Sequence, residues 1–600
     1  MCGIAGIIAL DRPEPDSDGA LKAMLDAVAH RGPDDEGMVV SGRAVLGHRR
    51  LSIIDLSTAG RQPMRFGHLV ITYNGEVYNY LEIRKELEGL GHRFKTATDT
   101  EVILHAWAQW GEACLDRFTG MWAFALLDEA EGLLFCARDP FGIKPLYYLH
   151  EGGRFAFASE IKALLKLHPA RADLDSLLDY LVLGITDHTE RTFFRGIRQL
   201  LPGRSLTLRL LDGSVRETPY YDLKRGMRGE RTSGEFQECL LRSVRLHMRS
   251  DVPVGTCLSG GLDSSVVAAL AAAANRDSGN NHFSAVTARS EARETDETPY
   301  AKRVVEHVRL NWHVAAPAYS DFAANVERCL RFQEEPVGGP SVFMQYWVMK
   351  TAREAGLKVM LDGQGGDETL LGYERYYIAF FLHLLKQGKP AEAVREFILA
   401  VRHSRMSLGW FAASLAYFSS AALRKTVMKH RVPFLREDCA ERPTRVIPEM
   451  TAEYFDLDRM QASELQVRQL PHLLRYEDRN SMAFSIEARV PFIETSCVEA
   501  ALGLRPEDKI RNGYTKFALR LLAAQILPPE IAWRREKIGF EAPEELWLER
   551  HREVMEDEVR GSSILKRIFR HDPDLSGLKR EIRWRLYNIA VWERLLGVVA

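Results

Sequence analysis

Between about residue 233 and residue 375, short β-rich apolar runs alternate with helix-forming segments, and few folds accommodate this alternation. The run VPVGTCL precedes the helix-forming segment SSVVAALAAAAN, HFSAVTA precedes a helix near 298 to 309, and a third helical segment leads into KVML. Strands that are joined by helices pair in parallel, and ligands bind beyond the carboxyl ends of such strands. The pattern therefore predicts an α/β domain with a parallel sheet, followed after 375 by a mostly helical part.

Residues 1 to about 215 follow a different pattern, with many short strands and few helices. Helical periodicity is found in DGALKAMLDAVAH, YLEIRKELEGLG and TEVILHAWAQW. The β-rich runs are GIAGII, LVITY, MWAFALLD, GLLFCA and RFAFA. This mixture predicts an α+β domain in which helices cover stacked antiparallel sheets. We therefore divide the chain into domains at 1–215 and 233–600, joined by the polar, Arg-rich segment 222–234.

Charge and cysteine usage narrow the class of protein. The chain has 80 Lys and Arg against 82 Asp and Glu, so its net charge of -2 favours neither nucleic acid nor an anionic membrane. Its eight cysteines are scattered without a CxxC pair, and the beginning of the chain does not resemble a signal peptide, which favours a reducing cytoplasm. The uncharged stretch 406–423 approaches the length of a membrane span, but its serines and glycine favour a buried or interface helix over membrane attachment.

Two glycine-containing loops follow strands of the predicted parallel sheet. The first, SGGLDSS at 259–265, exposes backbone N–H groups and serine hydroxyls at a helix N-terminus, an arrangement that binds phosphate. It is not a Walker A loop, because the pattern GxxxxGK[ST] is absent from the chain. The second loop lies within 358–373, where Asp367 and Glu368 can supply oxygen ligands to a hard cation. Together the loops predict a nucleotide site.

The position of Cys2 directly behind Met1 indicates a nucleophile. Removal of Met1 would leave Cys2 with a thiol and a free α-amino group that can act as its base. An α-amino acid ligand needs a cation for its carboxylate and an anion for its ammonium group, and Arg50 and Asp99 suit these roles. Asn74 and Gly75 can donate hydrogen bonds to an oxyanion.

These motifs resemble the glutamine-hydrolysing asparagine synthetase family over nearly the whole chain. MCGIAG, HRGPDD, RLSIIDLS, YNGEVYN, RDPFGIKPLYY and FASEIKAL resemble the class II glutamine amidotransferase domain. That domain is an N-terminal nucleophile hydrolase, which implies an αββα sandwich. SGGLDSS, DGQGGDE, SMAFSIEARVPF and NGYTKFALR resemble the synthetase domain, whose sheet is of the adenine-nucleotide α-hydrolase type.

The resemblance implies a reaction and a set of site residues. ATP adenylates the side-chain carboxylate of aspartate, and ammonia released from glutamine at Cys2 displaces AMP. The implied catalytic residues are Cys2, Asn74, Gly75 and Lys516, and the implied glutamine-binding residues are Arg50, Asn74, Glu76 and Asp99. The implied ATP-binding residues are Leu258, Ser259, Gly260, Gly261, Asp263, Ser264, Ser265, Val286, Asp362 and Gly363. The resemblance also implies Mg²⁺ at Asp263 and Asp367, places Glu487 and Arg489 on the same cleft, and allows a homodimer.

One position departs from the family pattern. The familiar synthetase loop reads SGEGSDE, whereas this chain has DGQGGDE, so Gln364 replaces a glutamate that is thought to act as a base. An amide cannot accept a proton in that role. The acceptor therefore stays open between aspartate and another carboxylate, such as a polysaccharide uronic acid or a secondary metabolite. Glu334 and Glu335 are candidates for a substitute base, and a non-catalytic sensor of glutamine or ATP is the least favoured alternative.

Overall fold

The computed structural model describes residues 2–11, 17–403, 407–535 and 542–600. The strands of the N-terminal half are β1 Gly3–Ala9, β2 Asp35–Ser41, β3 Ala44–Arg50, β4 Met64–Phe66, β5 Leu69–Val77, β6 Gly120–Asp128, β7 Leu133–Arg138, β8 Tyr147–Glu151, β9 Arg154–Ala158, β10 Ile197–Gln199, β11 Arg204–Arg209 and β12 Val215–Pro219. Those of the C-terminal half are β13 Val254–Cys257, β14 Ser284–Ala288, β15 Asn311–Ala315, β16 Val359–Leu361 and β17 Glu487–Arg489.

The N-terminal half consists of two six-stranded antiparallel sheets, in the orders β10-β8-β9-β1-β3-β2 and β12-β11-β7-β6-β5-β4. Alternate side chains of β1 enter different layers: Ile4 and Ile8 pack between the sheets, and Ile7 packs under the helix Ser17–Ala27. Two further helices, Tyr80–Gly89 and Asp99–Trp110, cover the outer face of the second sheet. The predicted αββα sandwich is confirmed.

The C-terminal half contains a five-stranded sheet with the order β15-β14-β13-β16-β17, in which every pair is parallel. Helix Leu262–Asp277 packs on one face and helix Ser341–Glu354 on the other, which confirms the α/β prediction. The strand order reverses at β13, so the loops after β13 and β16 lie side by side at a switch point, where such sheets bind ligands. The sequence did not indicate β15 or β17. Strand β15 lies exposed at the edge of the sheet, and β17 is a charged segment of three residues.

Helices form most of the C-terminal half. Those up to residue 403 are Ser233–His247, Leu262–Asp277, Thr298–Val308, Tyr319–Gln333, Ser341–Glu354, Gly366–Thr369, Tyr376–Lys386 and Pro390–His403. Those that follow are Leu408–Ser419, Ala421–His430, Glu437–Glu441, Ile447–Glu453, Leu457–Ser463, Leu470–Met482, Thr495–Leu502, Pro506–Lys509, Phe517–Ile526, Pro529–Ala532, Glu544–Arg550, Arg552–Gly561, Ser563–Ile568 and Arg580–Leu596.

Residue 406 lies outside the described residues, and residues 407–423 of the uncharged stretch contribute to two helices, of which Leu408–Ser419 lies at the surface. Phe411 packs against Phe381 and Phe397, but the helix has no fully buried residue and Leu408 is 70% exposed. Of the two predicted alternatives, the structure therefore excludes a fully buried helix and shows a helix that packs against the domain by one aromatic face. Among the helices of the described segments, none is long and apolar enough to cross a membrane.

Candidate active sites

Cys2 lies buried at the start of the central strand β1 of the first sheet. Its backbone nitrogen donates a hydrogen bond to Asn74 Oδ1 at 2.9 Å, and its carbonyl accepts one from Arg31 Nε at 2.9 Å. Burial raises the pKa of the Cys2 thiol, which the nearby Arg50 guanidinium opposes. The thiol therefore needs a base before it can react at neutral pH.

Asn74 and Gly75 lie inside strand β5, opposite Ala123 and Trp122 of β6. In the described part of the chain, Asn74 Nδ2 is buried and has no hydrogen-bond partner, although the same side chain holds the Cys2 nitrogen. A Cβ at Gly75 would lie 2.1 Å from the carbonyl oxygen of Met121, so only glycine fits. An unpaired buried donor beside a thiol is suited to a developing oxyanion.

Asp99 and Arg50, which the sequence assigned to an amino-acid ligand, lie in the same half of the molecule as Cys2. Asp99 begins helix Asp99–Trp110, and its Oδ2 accepts hydrogen bonds from Tyr73 Oη at 2.9 Å and Val77 N at 3.0 Å. Burial raises the pKa of Asp99 to about 6. Arg50 ends β3 and donates to the carbonyls of Asp55 and of Ser57, the latter at 2.7 Å.

Glu76 is also buried in β5. Burial, together with the negative charge of Glu487, raises its pKa well above the usual range for glutamate. Glu487 belongs to the parallel sheet of the other half, where its carboxylate pairs with Arg489 Nε at 2.6 Å. Strand β5 of the N-terminal half and strand β17 of the parallel sheet are thus close enough for their carboxylates to interact electrostatically.

The second candidate site is a cavity of about 640 Å³ at the carboxyl ends of β13 and β16. The loop after β13 contributes Ser259, Gly261, Asp263 and Ser264 to its wall, and the loop after β16 contributes Asp362, Gly363, Gln364 and Asp367. Leu258, Gly260, Ser265 and Val286 lie behind this wall. Leu258 N donates to the carbonyl of Val286 at 2.9 Å, which joins β13 to β14 behind the loop.

Lys516 joins the two loops from a third segment of the chain. Its Nζ contacts the carboxylate of Asp263 and lies 2.7 Å from Asp367 Oδ1. Burial opposes the charge, but the two aspartates together raise the pKa of Lys516, so the ammonium stays protonated. Its φ of +54° is a strained conformation for a side-chain-bearing residue, and such strain is concentrated at functional sites.

The donor set suits a metal only in part. No group of three or more His, Cys, Asp and Glu side chains that could hold a metal occurs in the described ranges. Asp263 and Asp367 nevertheless converge on the ammonium group of Lys516. Two carboxylates are sufficient for Mg²⁺, which usually takes one or two and completes its shell with phosphate oxygens and water. Glu368 does not line the cavity, and its Oε1 accepts a hydrogen bond from Tyr373 Oη at 2.8 Å.

Four residues that the sequence placed on the cleft lie elsewhere. Glu334 accepts a hydrogen bond from the backbone nitrogen of Lys162 at 2.7 Å, and Glu335 accepts one from that of Phe193 at 2.8 Å, so both carboxylates face the N-terminal half. The prediction of a substitute base at these glutamates is therefore wrong. Glu487 and Arg489 are fully buried between the halves and do not line the cavity either.

The sequence did not reveal the link between the sites. Arg31, which holds the carbonyl of Cys2, also pairs with Glu160 at 2.7 Å and with Asp478 at 2.8 Å. Arg31 and both carboxylates are buried. One guanidinium thus connects the nucleophile strand to helix Leu470–Met482 of the other half.

Replacing Asp478 with asparagine is expected to lower the free energy of unfolding by about 3 kcal/mol, because it leaves the buried Arg31 without one of its charge partners. Chemical denaturation measures the change. Glu82→Gln is the matched control, since Glu82 pairs with Arg249 across the same two halves at an exposed position and is expected to cost less than about 1 kcal/mol. Equal losses in the two variants would contradict the importance of the buried pair.

Comparison with known proteins agrees with this geometry. Residues 1–221 match the family model for a glutamine amidotransferase domain, and residues 235–592 match that for asparagine synthase. Fold and matches together define a ligase that takes its nitrogen from glutamine. The chain belongs to the glutamine-hydrolysing asparagine synthetase family.

Curated relatives extend over most of the chain. Glutamine-hydrolysing asparagine synthetase 1 of Bacillus subtilis strain 168 is 28% identical, over 99% of this chain and 97% of its own length. Glutamine-hydrolysing asparagine synthetase 3 of the same strain is 29% identical, over 89% of this chain and 86% of its own. The amidase chyE of Penicillium rubens is 28% identical, over 88% of this chain and 85% of its own.

Proposed function

We propose that the protein makes asparagine from aspartate, glutamine and ATP, and releases glutamate, AMP and pyrophosphate. The observation that carries the proposal is the convergence of Asp263, Asp367 and Lys516 from three segments on one cavity at the switch point of the parallel sheet. A phosphate-binding loop, a fixed cation and two carboxylates are the groups that adenylation of a carboxylate requires.

In the first half, Cys2 attacks the side-chain amide of glutamine. With Met1 removed, the α-amino group of Cys2 takes the thiol proton, and the sulfur forms a thioester as ammonia leaves. Asn74 Nδ2 and the backbone N–H of Gly75 donate to the oxyanion. Arg50 binds the carboxylate of glutamine, and Asp99, with Glu76 beside it, binds its ammonium group.

In the second half, the loop 259–265 binds the phosphates of ATP at the N-terminus of helix Leu262–Asp277. Lys516 stabilises charge on the α-phosphate while the substrate carboxylate attacks it. Asp263 and Asp367 would hold Mg²⁺, which supplies charge neutralisation on the leaving pyrophosphate. Leu258 and Val286 form the apolar backing of the nucleotide site.

Ammonia must cross between the sites without meeting bulk water, since ammonium is not a nucleophile. The buried contact of Arg31 with Asp478 joins the two halves across their interface. The free state of all eight cysteines suits a reducing cytoplasm. That location and a homodimer remain predictions.

The KM for glutamine is expected to rise about fivefold between pH 6 and pH 5, because Asp99 with a pKa of about 6 loses the charge that binds the ligand ammonium. Above pH 7 the carboxylate is ionised and KM is expected to be constant. Glutamate release by the purified protein measures the effect. Asp99→Asn should have a high KM that no longer depends on pH, and a wild-type KM that is constant down to pH 5 would contradict the role.

The deciding experiment is mass spectrometry of a reaction that contains the protein, ATP, Mg²⁺, glutamine and aspartate. Appearance of asparagine, AMP and pyrophosphate together supports the proposal. Glutamate without asparagine contradicts aspartate as the acceptor.

One observation favours a second acceptor class. Gln364 lines the cavity at the position where the familiar family loop has a glutamate. A site with a different polar group at this point suits another carboxylate, such as a polysaccharide uronic acid or a secondary metabolite. If asparagine is not formed, these acceptors are tested next in the same assay.

A further inference from the structure

Three consecutive helices of the C-terminal half form one layer at the surface of the molecule. They are Tyr376–Lys386, Pro390–His403 and Leu408–Ser419. Each helix contributes one phenylalanine ring to their contact, and the ring centroids lie 4.6 to 5.9 Å apart: Phe381, Phe397 and Phe411. Because these rings pack against each other on the inner side, the opposite side of the layer is left to solvent.

This outer side exposes large apolar side chains. Four of them are at least half exposed: Leu385, Val394, Ile398 and Leu408. Val394 and Ile398 are four positions apart, so they lie on the same side of helix Pro390–His403. The neighbouring helix has no charged residue and exposes four small ones, Gly409, Ala412, Ala413 and Ala416. Large apolar side chains that cluster at a surface mark a site of interaction.

The segment is also strongly basic. Residues 376–431 contain nine Lys and Arg against two Glu, although the whole chain is nearly balanced in charge. Three of these cations are paired or buried on the helix that follows: Lys425, Lys429 and Arg424. Lys386 and Arg402 are exposed and have no ion-pair partner among the described residues. Arg395 donates only to an amide oxygen, Asn512 Oδ1, at 3.0 Å.

Neither glutamate of this segment neutralises these cations. Glu396 is buried on the inner side of its helix, where its Oε2 accepts a hydrogen bond from the nitrogen of Gly513 at 2.8 Å. Glu392 lies 4.0 Å from the ammonium group of Lys389. The outer side of the layer therefore combines exposed apolar side chains with uncompensated positive charge. We call it the basic apolar surface, defined by Leu385, Lys386, Val394, Arg395, Ile398, Arg402 and Leu408.

This combination matches the headgroup region of an anionic bilayer. Apolar side chains on such a surface enter the boundary of the acyl chains, and Lys and Arg extend to the lipid phosphates. A second copy of the chain is a poorer match. Docking two basic apolar surfaces on each other would bring their uncompensated cations together, and like-charge repulsion opposes that contact.

The basic apolar surface adjoins the cavity at the carboxyl ends of β13 and β16. Two of its helices contribute a residue each to the cavity wall, Tyr377 and His403. The ring of His403 stacks on Tyr514 with centroids 4.3 Å apart, and Tyr514 is two positions before Lys516. A bilayer that contacts these helices would therefore lie next to the site that binds the acceptor.

We propose that the basic apolar surface docks the protein peripherally on an anionic membrane. Val394, Ile398 and Leu408 enter the interface, while Lys386 and Arg402 bind lipid phosphates. The helices lie along the bilayer and do not cross it. Docking does not depend on which carboxylate is amidated, so its test is separate from that of the proposed function.

Sedimentation of the full-length protein with lipid vesicles tests the proposal. Vesicles of phosphatidylcholine and phosphatidylglycerol in equal amounts are expected to bind the protein at low salt, and vesicles of phosphatidylcholine alone are not. Salt at 1 M should release the protein, because it reduces the Debye length to about 3 Å. Absence of binding to the anionic vesicles, or equal binding to both kinds, would overturn the proposal.

Charge-inserting variants test the apolar contacts. Val394→Glu combined with Ile398→Glu is expected to abolish sedimentation with the anionic vesicles, since both side chains would then carry a negative charge into the interface. Leu211→Glu is the matched control, because Leu211 is an exposed leucine between β11 and β12 in the N-terminal half. It should bind like the wild type. Undiminished binding of the double variant would contradict the assigned surface.

Neutralising variants test the cations. Lys386→Gln combined with Arg402→Gln is expected to lower the affinity for anionic vesicles about 25-fold, or about fivefold for each cation. Lys85→Gln combined with Lys224→Gln is the control, since both lysines are exposed outside the basic apolar surface. Equal effects of the two pairs would overturn the assignment of the lipid contacts.

Two further measurements separate docking from misfolding and from self-association. All of these variants should retain wild-type glutamine hydrolysis, because every substituted position lies outside the candidate glutamine site. Sedimentation velocity without vesicles examines the second copy as the occupant. A dimer that Val394→Glu with Ile398→Glu dissociates, in a protein that does not bind anionic vesicles, would overturn the proposal and assign the surface to self-association.

Discussion

Replacing Cys2 with alanine is expected to reduce glutamine-dependent amide formation on the order of 10⁴-fold while ammonia-dependent formation stays unchanged. Alanine removes the thiol of the residue whose backbone nitrogen donates to Asn74 Oδ1, and the second cavity is in the other half of the molecule. Parallel assays with glutamine and with ammonium salt at alkaline pH measure the two activities.

A second cysteine provides the control for this result. Cys136 is buried in β7 of the same domain, packs between the two sheets, and has no contact with the candidate glutamine site. Cys136→Ala should retain both activities. If Cys2→Ala lost both activities equally, the separation into a site that releases ammonia and a site that consumes it would be wrong.

Replacing Lys516 with methionine is expected to reduce pyrophosphate exchange by about 10² to 10³-fold, while glutamine hydrolysis at Cys2 persists. Methionine keeps much of the length of the side chain but removes the ammonium group that Asp263 and Asp367 hold in the cavity. The two carboxylates would then repel each other and the phosphates. Radioactive pyrophosphate exchange and glutamate release measure the two half-reactions.

Lys509 offers a matched control only seven positions away. It is buried as well, but its Nζ donates to Gln461 Oε1 at 2.8 Å, and it does not line the cavity. Lys509→Met should therefore keep pyrophosphate exchange. A loss of exchange in both variants, or loss of glutamine hydrolysis in Lys516→Met, would indicate a structural defect instead of a catalytic one.

The local pattern of the sequence was sufficient to predict the fold class of each half. Alternating side chains such as Ile4 and Ile7 determine which face of a strand is buried, and this signal spans only a few residues. The glycines and serines of 259–265 likewise indicate a phosphate loop from neighbouring positions alone. Family motifs then pointed to Cys2 and Lys516, which are 514 positions apart and could not be related by local patterning.

The arrangement of distant groups depended on tertiary structure. The sequence placed Glu334 near the cleft, but a φ of +63° ends the preceding helix there, and the side chain pairs with Arg479.

The sequence by itself thus determined the two domain classes, and it predicted a nucleophile at Cys2 and a phosphate-binding loop, because hydrophobic periodicity, glycine content and short motifs are local properties. Only the tertiary structure decided that Asp263, Asp367 and Lys516 meet and that Arg31 joins the halves. The physical reason is that charge interactions and burial depend on which distant segments pack together, and packing is set by the whole chain.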